Sequence, residues 1–354
     1  MGPTQAAAPA ASPTAPILSI CIATFRRAAF IGETLASIVA QLVPGVEVVV
    51  VDGASPDDTR DAVALATAGH AAVHYHREDA NSGVDADYDK AVGYARGTYC
   101  WLMTDDDLLA PGAVERVLGA VADGPALVVL NAETRTPDLA RTVDARLLGW
   151  TQDRLYGPAD AARFLVETAN HLTFIGAVVI RREVWRARER ARYHGSLFIH
   201  AGVIFQSPPL ERIRVVSEPL IRIRWGNAMW SARGFEIWMF KWPGLVWSFD
   251  GYPEAARAAV CPREPWRNLR MLGLHRALGG YGGSEYRTFL ASRGGRVFRA
   301  LARLVAAVPI PFANALASAY CVLFARGARR ELYDLSHGVH ATPVARAAAR
   351  LMGL

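Results

Sequence analysis

Three consecutive carboxylates, Asp105, Asp106 and Asp107, close the apolar run in CWLMTDDDLL, residues 100–109. Two carboxylates about 4–5 Å apart repel by roughly 3–4 kcal/mol at an effective dielectric near 20. Such a cluster needs a partner, and a hard divalent cation that prefers oxygen ligands is one. A solvated turn with the charges pointing at water is the alternative.

The surrounding elements decide which reading is favoured. ILSICIA (17–23), VEVVVVD (46–52), VHYHR (73–77), TYCWLM (98–103) and ALVVLN (126–131) read as strands. Several are continuous β-branched runs, as expected for strands covered on both faces. Between them, Phe30–Leu42 carries Ile31, Leu35, Ile38, Val39 and Leu42 at helical spacing. Thr59–Ala68 and Asp85–Arg96 also read as helices, and Pro111 is placed to open another. This alternation predicts an α/β, doubly wound, mostly parallel sheet with helices on both faces. Ligands of such sheets bind beyond the carboxyl ends of the strands. The stretches there are Thr24–Arg27, Asp52–Asp58, Arg77–Asp87 and Thr104–Asp107. All four are polar and three are rich in carboxylate, which favours the metal reading.

Length and composition frame the rest. A chain of 354 residues fits one large domain, or a domain of about 230–250 residues with an appendage. Arginine supplies nearly all the positive charge, since Lys90 and Lys241 are the only lysines. Its planar fork suits phosphate. Arginine clusters at 181–192, 293–303 and 326–330 lack the interleaved aromatics of a nucleic-acid stripe, so no nucleic-acid partner is expected. They read as solvated helix faces or as a surface facing anionic lipid. Cys21, Cys100, Cys261 and Cys321 are far apart and show no zinc spacing, which fits reduced thiols and a cytoplasmic address. Residues 1–15, rich in Ala, Pro and Thr, lack the features of a signal peptide and are expected to form a disordered tail.

Beyond residue 132 the pattern loosens. FIGAVVI (174–180) reads as a strand, Arg182–Arg192 as a helix and 213–225 as paired strands. The aromatic stretch 234–249 reads as a core helix, with a hydrophobic acceptor groove or a membrane contact the alternatives. Residues 304–325 carry no charge, but Pro309 and Pro311 interrupt them. The 14 residues from Phe312 would reach roughly 21 Å as a helix, too short to cross a bilayer. An interfacial or packing helix is expected there.

SICIATFRR, VVVVDGASPDDT and REDANSGVDADYDKAVGYARGTYCWLMTDDDLLAPGAVERV together resemble family 2 glycosyltransferases of the GT-A fold. FIGAVVIRREVW, GSLFIHAGVIF and IRIRWGNAMWSARGFEIWMFKWP are similar to the abequosyltransferase-like branch. The resemblance implies a donor-binding half at 16–130 and an acceptor-binding half at 131–255. Residues 256–354 are expected to be a helical, membrane-associated extension. It also implies that Thr24, Phe25 and Arg26 contact the nucleotide and that Asp52 contacts the base or ribose. Asp105 and Asp106 would hold Mg2+ or Mn2+ against the donor diphosphate, with Asp106 catalytic through that ion. Many members begin the acidic motif with an aspartate where this chain has Met103, and Asp107 keeps the carboxylate count.

A nucleoside diphosphate leaves well only when its charge is neutralised, which a carboxylate-bound divalent ion does. The attacking hydroxyl then needs a base. His200, in GSLFIHAG, has a suitable ordinary pKa, although a histidine between apolar residues is also an ordinary core residue. Asp85, Asp87 and Lys90 are assigned to the donor sugar side, with Asp85 alternatively a helix cap. Arg222, Arg224 and Asn227, ahead of an expected helix, are assigned to phosphate, with ordinary strand-edge polarity the alternative. The function expected is metal-assisted, inverting transfer of a sugar from a nucleotide-sugar donor to a lipid-linked bacterial surface glycan at the inner face of the cytoplasmic membrane. The rivals are nucleotidyl transfer, disfavoured by the glycine-free IATFRRAAF, and a non-catalytic glycan- or membrane-binding module.

Overall fold

The computed structural model describes residues 15–227, 233–324 and 328–354. The expected tail therefore lies outside the described residues apart from Ala15, as does Arg326 of the last arginine cluster.

The first half alternates as its sequence predicts. β1 (Leu18–Thr24), α1 (Ile31–Val39), β2 (Val46–Asp52), α2 (Thr59–Ala66), β3 (Val73–Arg77), α3 (Val84–Tyr94) and β4 (Tyr99–Met103) follow in order. Then come β5 (Leu108–Leu109), α4 (Ala113–Val121), β6 (Leu127–Arg135), β7 (Thr142–Asp144), β8 (Arg154–Tyr156), α5 (Ala161–Thr168), β9 (Val178–Arg181), α6 (Arg182–Ala187), α7 (Ile199–Phe205) and β10 (Ile213–Arg224). All ten strands join one sheet, whose main path runs β3-β2-β1-β4-β9-β6-β10-β5. β1 pairs in parallel with β2 and with β4, β2 with β3, and β6 with β10, while β9 runs antiparallel between β4 and β6. Strand order reverses at β1, and the carboxyl ends of β1, β2 and β4 lie on the same side.

The continuous apolar runs follow from burial on both faces. Leu18, Ile20 and Ile22 of β1 pack with α1 and α4, while Cys21 and Ala23 face α3. Gly97 permits the turn before β4 to press on β1, since a Cβ there would lie 2.6 Å from the Ser19 hydroxyl.

Four local expectations change. Pro111 does not open α4, because Gly112, at φ 78°, intervenes as its N-cap. Residues 174–180 form a 3-10 turn and then β9. Helix α6 stops at Ala187, and a 3-10 turn follows at Ala191–Tyr193. The paired strands expected at 213–225 are the single strand β10, with register shifts around Pro219. No turn is needed there because side chains satisfy the irregular backbone. The Ser217 amide donates to Asp153, and its carbonyl accepts from Asn131 and Arg146.

The remainder is helical: α8 (Gly234–Glu236), a π-turn, α9 (Trp242–Trp247), α10 (Glu254–Val260), α11 (Leu269–Ala277), α12 (Gly283–Glu285), α13 (Arg296–Ala307), α14 (Ile310–Phe324), α15 (Arg329–His337) and α16 (Pro343–Leu351). Among the described residues no single helix is long and apolar enough to cross a membrane. α13 and α14 meet at a bend of 100° beside Pro309, which has no amide hydrogen to continue a helix.

Candidate active site

Three loops from the carboxyl ends of strands converge on the acidic motif. After β1, Arg26 adopts a left-handed φ of 58°, and its amide donates to the Ser55 hydroxyl (2.9 Å). The Arg27 amide donates to Thr59 Oγ1 (3.0 Å), so the loops after β1 and β2 are stitched together. That stitching aims the Arg27 side chain at the loop after β4. Its Nε lies 3.4 Å from Asp105 Oδ1 and its Nη2 lies 3.1 Å from Asp106 Oδ2. Beyond β10, Asn227 Nδ2 donates to Asp106 Oδ2 (3.0 Å), and the Asn227 carbonyl accepts from Arg27.

The two carboxylates are 13% and 14% exposed, and Arg27 is the one cationic side chain ion-paired to them among the described residues. Burial and the charge of Asp106 push the Asp105 carboxyl up to about 7, against the pull of Arg27. Burial also raises Asp106, opposed by Arg27 and Arg224. The Thr24 hydroxyl lies beside Asp105 without reaching hydrogen-bond geometry. Hence the solvated turn is set aside: the pair is withdrawn from water and under-neutralised.

Asp107 is not a third member of this pair, which corrects the expected metal set. It turns inward, accepting from the Thr104 hydroxyl (2.6 Å) and from the Arg224 amide (2.8 Å). Its job is to join the β4 loop to β10. Arg224 is likewise a brace and not a free phosphate ligand. Its guanidinium donates to the carbonyls of Asp106 (3.1 Å) and Pro137 (2.6 Å) and pairs with Glu33. Arg222 pairs with Glu133 on β6 (3.3 Å).

On the other flank, Asp52 is fully buried and its oxygens are already used. They accept from the Ser55 amide, the Tyr75 hydroxyl and Arg77 Nη1. Burial and the Asp52 contact push the Tyr75 hydroxyl up to about 12. Arg77 is exposed, so the polar group that this cluster shows to solvent is a guanidinium and not the aspartate. Asp87 is buried close by, accepting from Ser82 (2.6 Å) and lying 3.8 Å from Lys90. A Cβ on Gly53 would come within 2.7 Å of Asp87 Oδ2 and would displace that carboxylate. Lys90 is paired with Glu78. Phe25 is half-buried under the exposed Arg26, whose guanidinium lies 5.7 Å from its ring centroid.

Two further assignments are corrected. Asp85 caps neither α3 nor a sugar. Its two oxygens accept from the amides of Leu197 (2.8 Å) and Ile199 (3.0 Å), at the start of α7. That grip holds Leu197 at a left-handed φ of 72°, a conformation that costs a β-carbon residue roughly 1–2 kcal/mol. His200 is 1% exposed, and its Nε2 meets the Leu172 carbonyl (2.7 Å). Burial lowers its pKa to about 4, so it is a neutral packing residue and not the proposed base.

Arg27, Tyr75 and Arg77 join the site without having been singled out as ligands. Arg27 was legible in principle, as a cation at the end of the strand beside the acidic one. Asn227, assigned from the sequence to phosphate, is instead brought by the fold to the Asp106 carboxylate.

Residues 19–187 match the model of glycosyl transferase family 2. The chain is 26% identical to abequosyltransferase RfbV of Salmonella typhimurium over 234 residues, covering 62% of this chain and 69% of that protein. It is 26% identical to the putative glycosyltransferase EpsH of Bacillus subtilis over 140 residues, 39% of this chain and 40% of that one. Among solved structures it resembles S. aureus TarS 1–349 in complex with UDP, with a TM-score of 0.55, 15% identity and 90% of each chain covered. At that identity the likeness speaks for the fold. The sheet of mixed direction with its order reversal at β1, the matched region and these relatives agree: the protein is a glycosyltransferase with the GT-A fold, whose residues 19–187 are similar to glycosyl transferase family 2.

Proposed function

We propose that this glycosyltransferase moves a sugar from a nucleotide-sugar donor to a hydroxyl of a lipid-linked bacterial surface glycan, with inversion at the anomeric carbon. The observation that carries the reading is the withdrawn carboxylate pair Asp105–Asp106, balanced by one arginine where the strand order reverses. The donor class is supported by the likeness to TarS 1–349, which has been solved in complex with UDP and with UDP-GlcNAc. The surface-glycan acceptor is supported by the likeness to an abequosyltransferase.

Asp105 and Asp106 fit a divalent ion, Mg2+ or Mn2+, which they would hold at the donor diphosphate. Asp105 and Asp106 offer adjacent hard oxygens, and among the described residues no three acidic, histidine or cysteine side chains converge. When bound, the ion neutralises the departing diphosphate as a Lewis acid. Arg27 is the chain's own contribution to the same task, a fixed cation that shares the developing charge. Phe25, Arg26 and Thr24 line the nucleotide side, and Asp52 acts through the Arg77 and Tyr75 it holds. Asp87 and Lys90 border the sugar. In this reading 16–130 binds the donor, 131–255 binds the acceptor, and 256–354 contacts the membrane that carries it.

Asp105→Ala and Asp106→Ala proteins that keep the wild-type circular dichroism should release nucleoside diphosphate about 10²–10³ times more slowly. Screening nucleotide sugars for diphosphate release gives the comparison, and undiminished turnover in both variants would overturn the reading.

A further inference from the structure

Helix α14 is built inside out. Its 15 residues, IPFANALASAYCVLF, contain no charge. The buried side chains are the small ones, Ala313, Asn314, Ser318 and Cys321. Phe312, Leu316 and Leu323 share the opposite face, at helical spacing, and point outward. The orientation is fixed by hydrogen bonds. Asn314 donates to the Leu335 carbonyl (2.9 Å) and accepts from the Thr342 hydroxyl (2.8 Å), and Ser318 donates to the Asn314 carbonyl (2.8 Å). The Ser318 bond lies within the helix, so it is Asn314 that sets the orientation: rotating the helix to bury its large residues would break both bonds of Asn314 to Leu335 and Thr342, at the cost of each buried partner left unsatisfied.

Helix α13 repeats the arrangement. It buries Ala302 and Ala306 and exposes Val297, Leu301 and Leu304 in a stripe. Both helices pack against α11, so both turn their outer faces away from the same support. Val297, Leu304, Phe312, Leu316, Leu323 and Phe324 are each 63–75% exposed. Isolated apolar residues on a surface are ordinary, whereas a patch on two successive helices marks an interaction surface.

Charge identifies the occupant. From Tyr286 to Arg330 the sequence holds eight arginines and no lysine, aspartate or glutamate. The whole chain carries +6, so the rest is slightly acidic. Arg296 and Arg303, both exposed, flank the α13 stripe on one side at seven-residue spacing, whereas Arg299 turns toward the support and donates to the Gly294 carbonyl. Arg270 lies over the Tyr320 ring (4.6 Å), an amphipathic pair at the edge of the α14 face. A second copy of the chain would set one arginine-rich surface against another with no carboxylate in the segment to answer it. An anionic bilayer answers both features at once, the apolar stripe entering the acyl boundary and the arginines meeting headgroups.

We infer that the outer faces of α13 and α14 form a monotopic docking surface for an anionic lipid bilayer. This names the surface and the lipid chemistry behind the membrane contact proposed above, and it rests on that reading for its purpose but not for its test. Full-length protein is floated with vesicles of phosphatidylglycerol or of phosphatidylcholine, in low and high salt. The wild type should float with phosphatidylglycerol, weakly with phosphatidylcholine, and less in high salt. Phe312→Glu combined with Leu316→Glu should lower the bound fraction about tenfold or more, with unchanged circular dichroism and melting, since both side chains stand in solvent. Absence of wild-type binding, or equal binding by the variant, overturns the surface. So does a concentration-dependent dimer in sedimentation velocity that the variant dissolves while vesicle binding is absent. Diphosphate release from soluble donor is measured in parallel and should be retained by the variant. Flotation without any wild-type release would sink the transfer reading and leave the docking surface standing.

Discussion

At the carboxyl ends of β1, β4 and β10 the molecule takes charges out of water and sets them against one another. Along α13 and α14 it does the reverse, hiding Asn314 and Ser318 and leaving leucine and phenylalanine in solvent. Neither choice improves the stability of an isolated chain. A buried carboxylate pair with one counter-charge is costly, and so is apolar surface left in water. The two regions differ in what would relieve the cost: a small, highly charged ligand at the sheet rim, a broad apolar one on the helices. Departures from ordinary packing therefore mark where the fold expects company.

Removing the rim's own counter-charge breaks the comparison most severely. Arg27→Ala leaves Asp105 and Asp106 buried without a cation, and should destabilise the protein by about 3–5 kcal/mol. Mn2+ should recover more of the lost melting temperature in this variant than it adds to the wild type. Thermal melts with and without Mn2+ measure both, and a variant that melts like the wild type would show that the pair is adequately solvated.

A smaller effect concerns the histidines that packing keeps neutral. Burial lowers the folded pKa of His200 to about 4, below its unfolded value. The unfolded chain therefore binds the proton first as pH falls. The stability is fully present above about pH 6.5 and is lost progressively toward pH 4, by about 2 kcal/mol between pH 7.5 and 5. His171 and His275 are shifted by burial in the same direction and add to the slope. Urea unfolding at the two pH values should show a steeper loss in the wild type than in His200→Leu, and equal slopes would remove the packing assignment.

The smallest effect sharpens the contrast. Leu35, fully buried on α1, should cost about 2–5 kcal/mol when cut to alanine. Leu316→Ala, at an exposed site of the same residue type, should change stability by no more than about 0.5 kcal/mol in the absence of lipid. Chemical denaturation of the two variants side by side reads the difference directly.

How much of this was written in the sequence depends on the range of the interactions. The alternation of β1 to β4 with α1 to α3 was legible because each strand is buried on both faces, so its run is unbroken. The site's place after β4 followed from the sheet's direction. The failures at the site all involve partners distant along the chain. Asp107 looks like a third ligand until the Arg224 amide arrives from 117 residues away. Arg224 looks like a phosphate ligand until Glu33 and the Pro137 carbonyl engage it. His200 sits in a stretch whose burial depends on Leu172 and its neighbours. For α14, periodicity was silent about direction, since a helix with no charged face gives no moment to read; only the contacts of Asn314 decide it.

The grip of Asp85 on Leu197 and Ile199 has a mechanical consequence. One carboxylate on α3 staples the segment that starts α7, across more than a hundred residues of intervening chain. Neither stretch can fray alone, because loosening the later one would abandon a buried anion and loosening the earlier one would release a strained leucine. Helix α3 and the start of α7 are thereby geared together, so that loosening there is a concerted event rather than the flapping of a single loop.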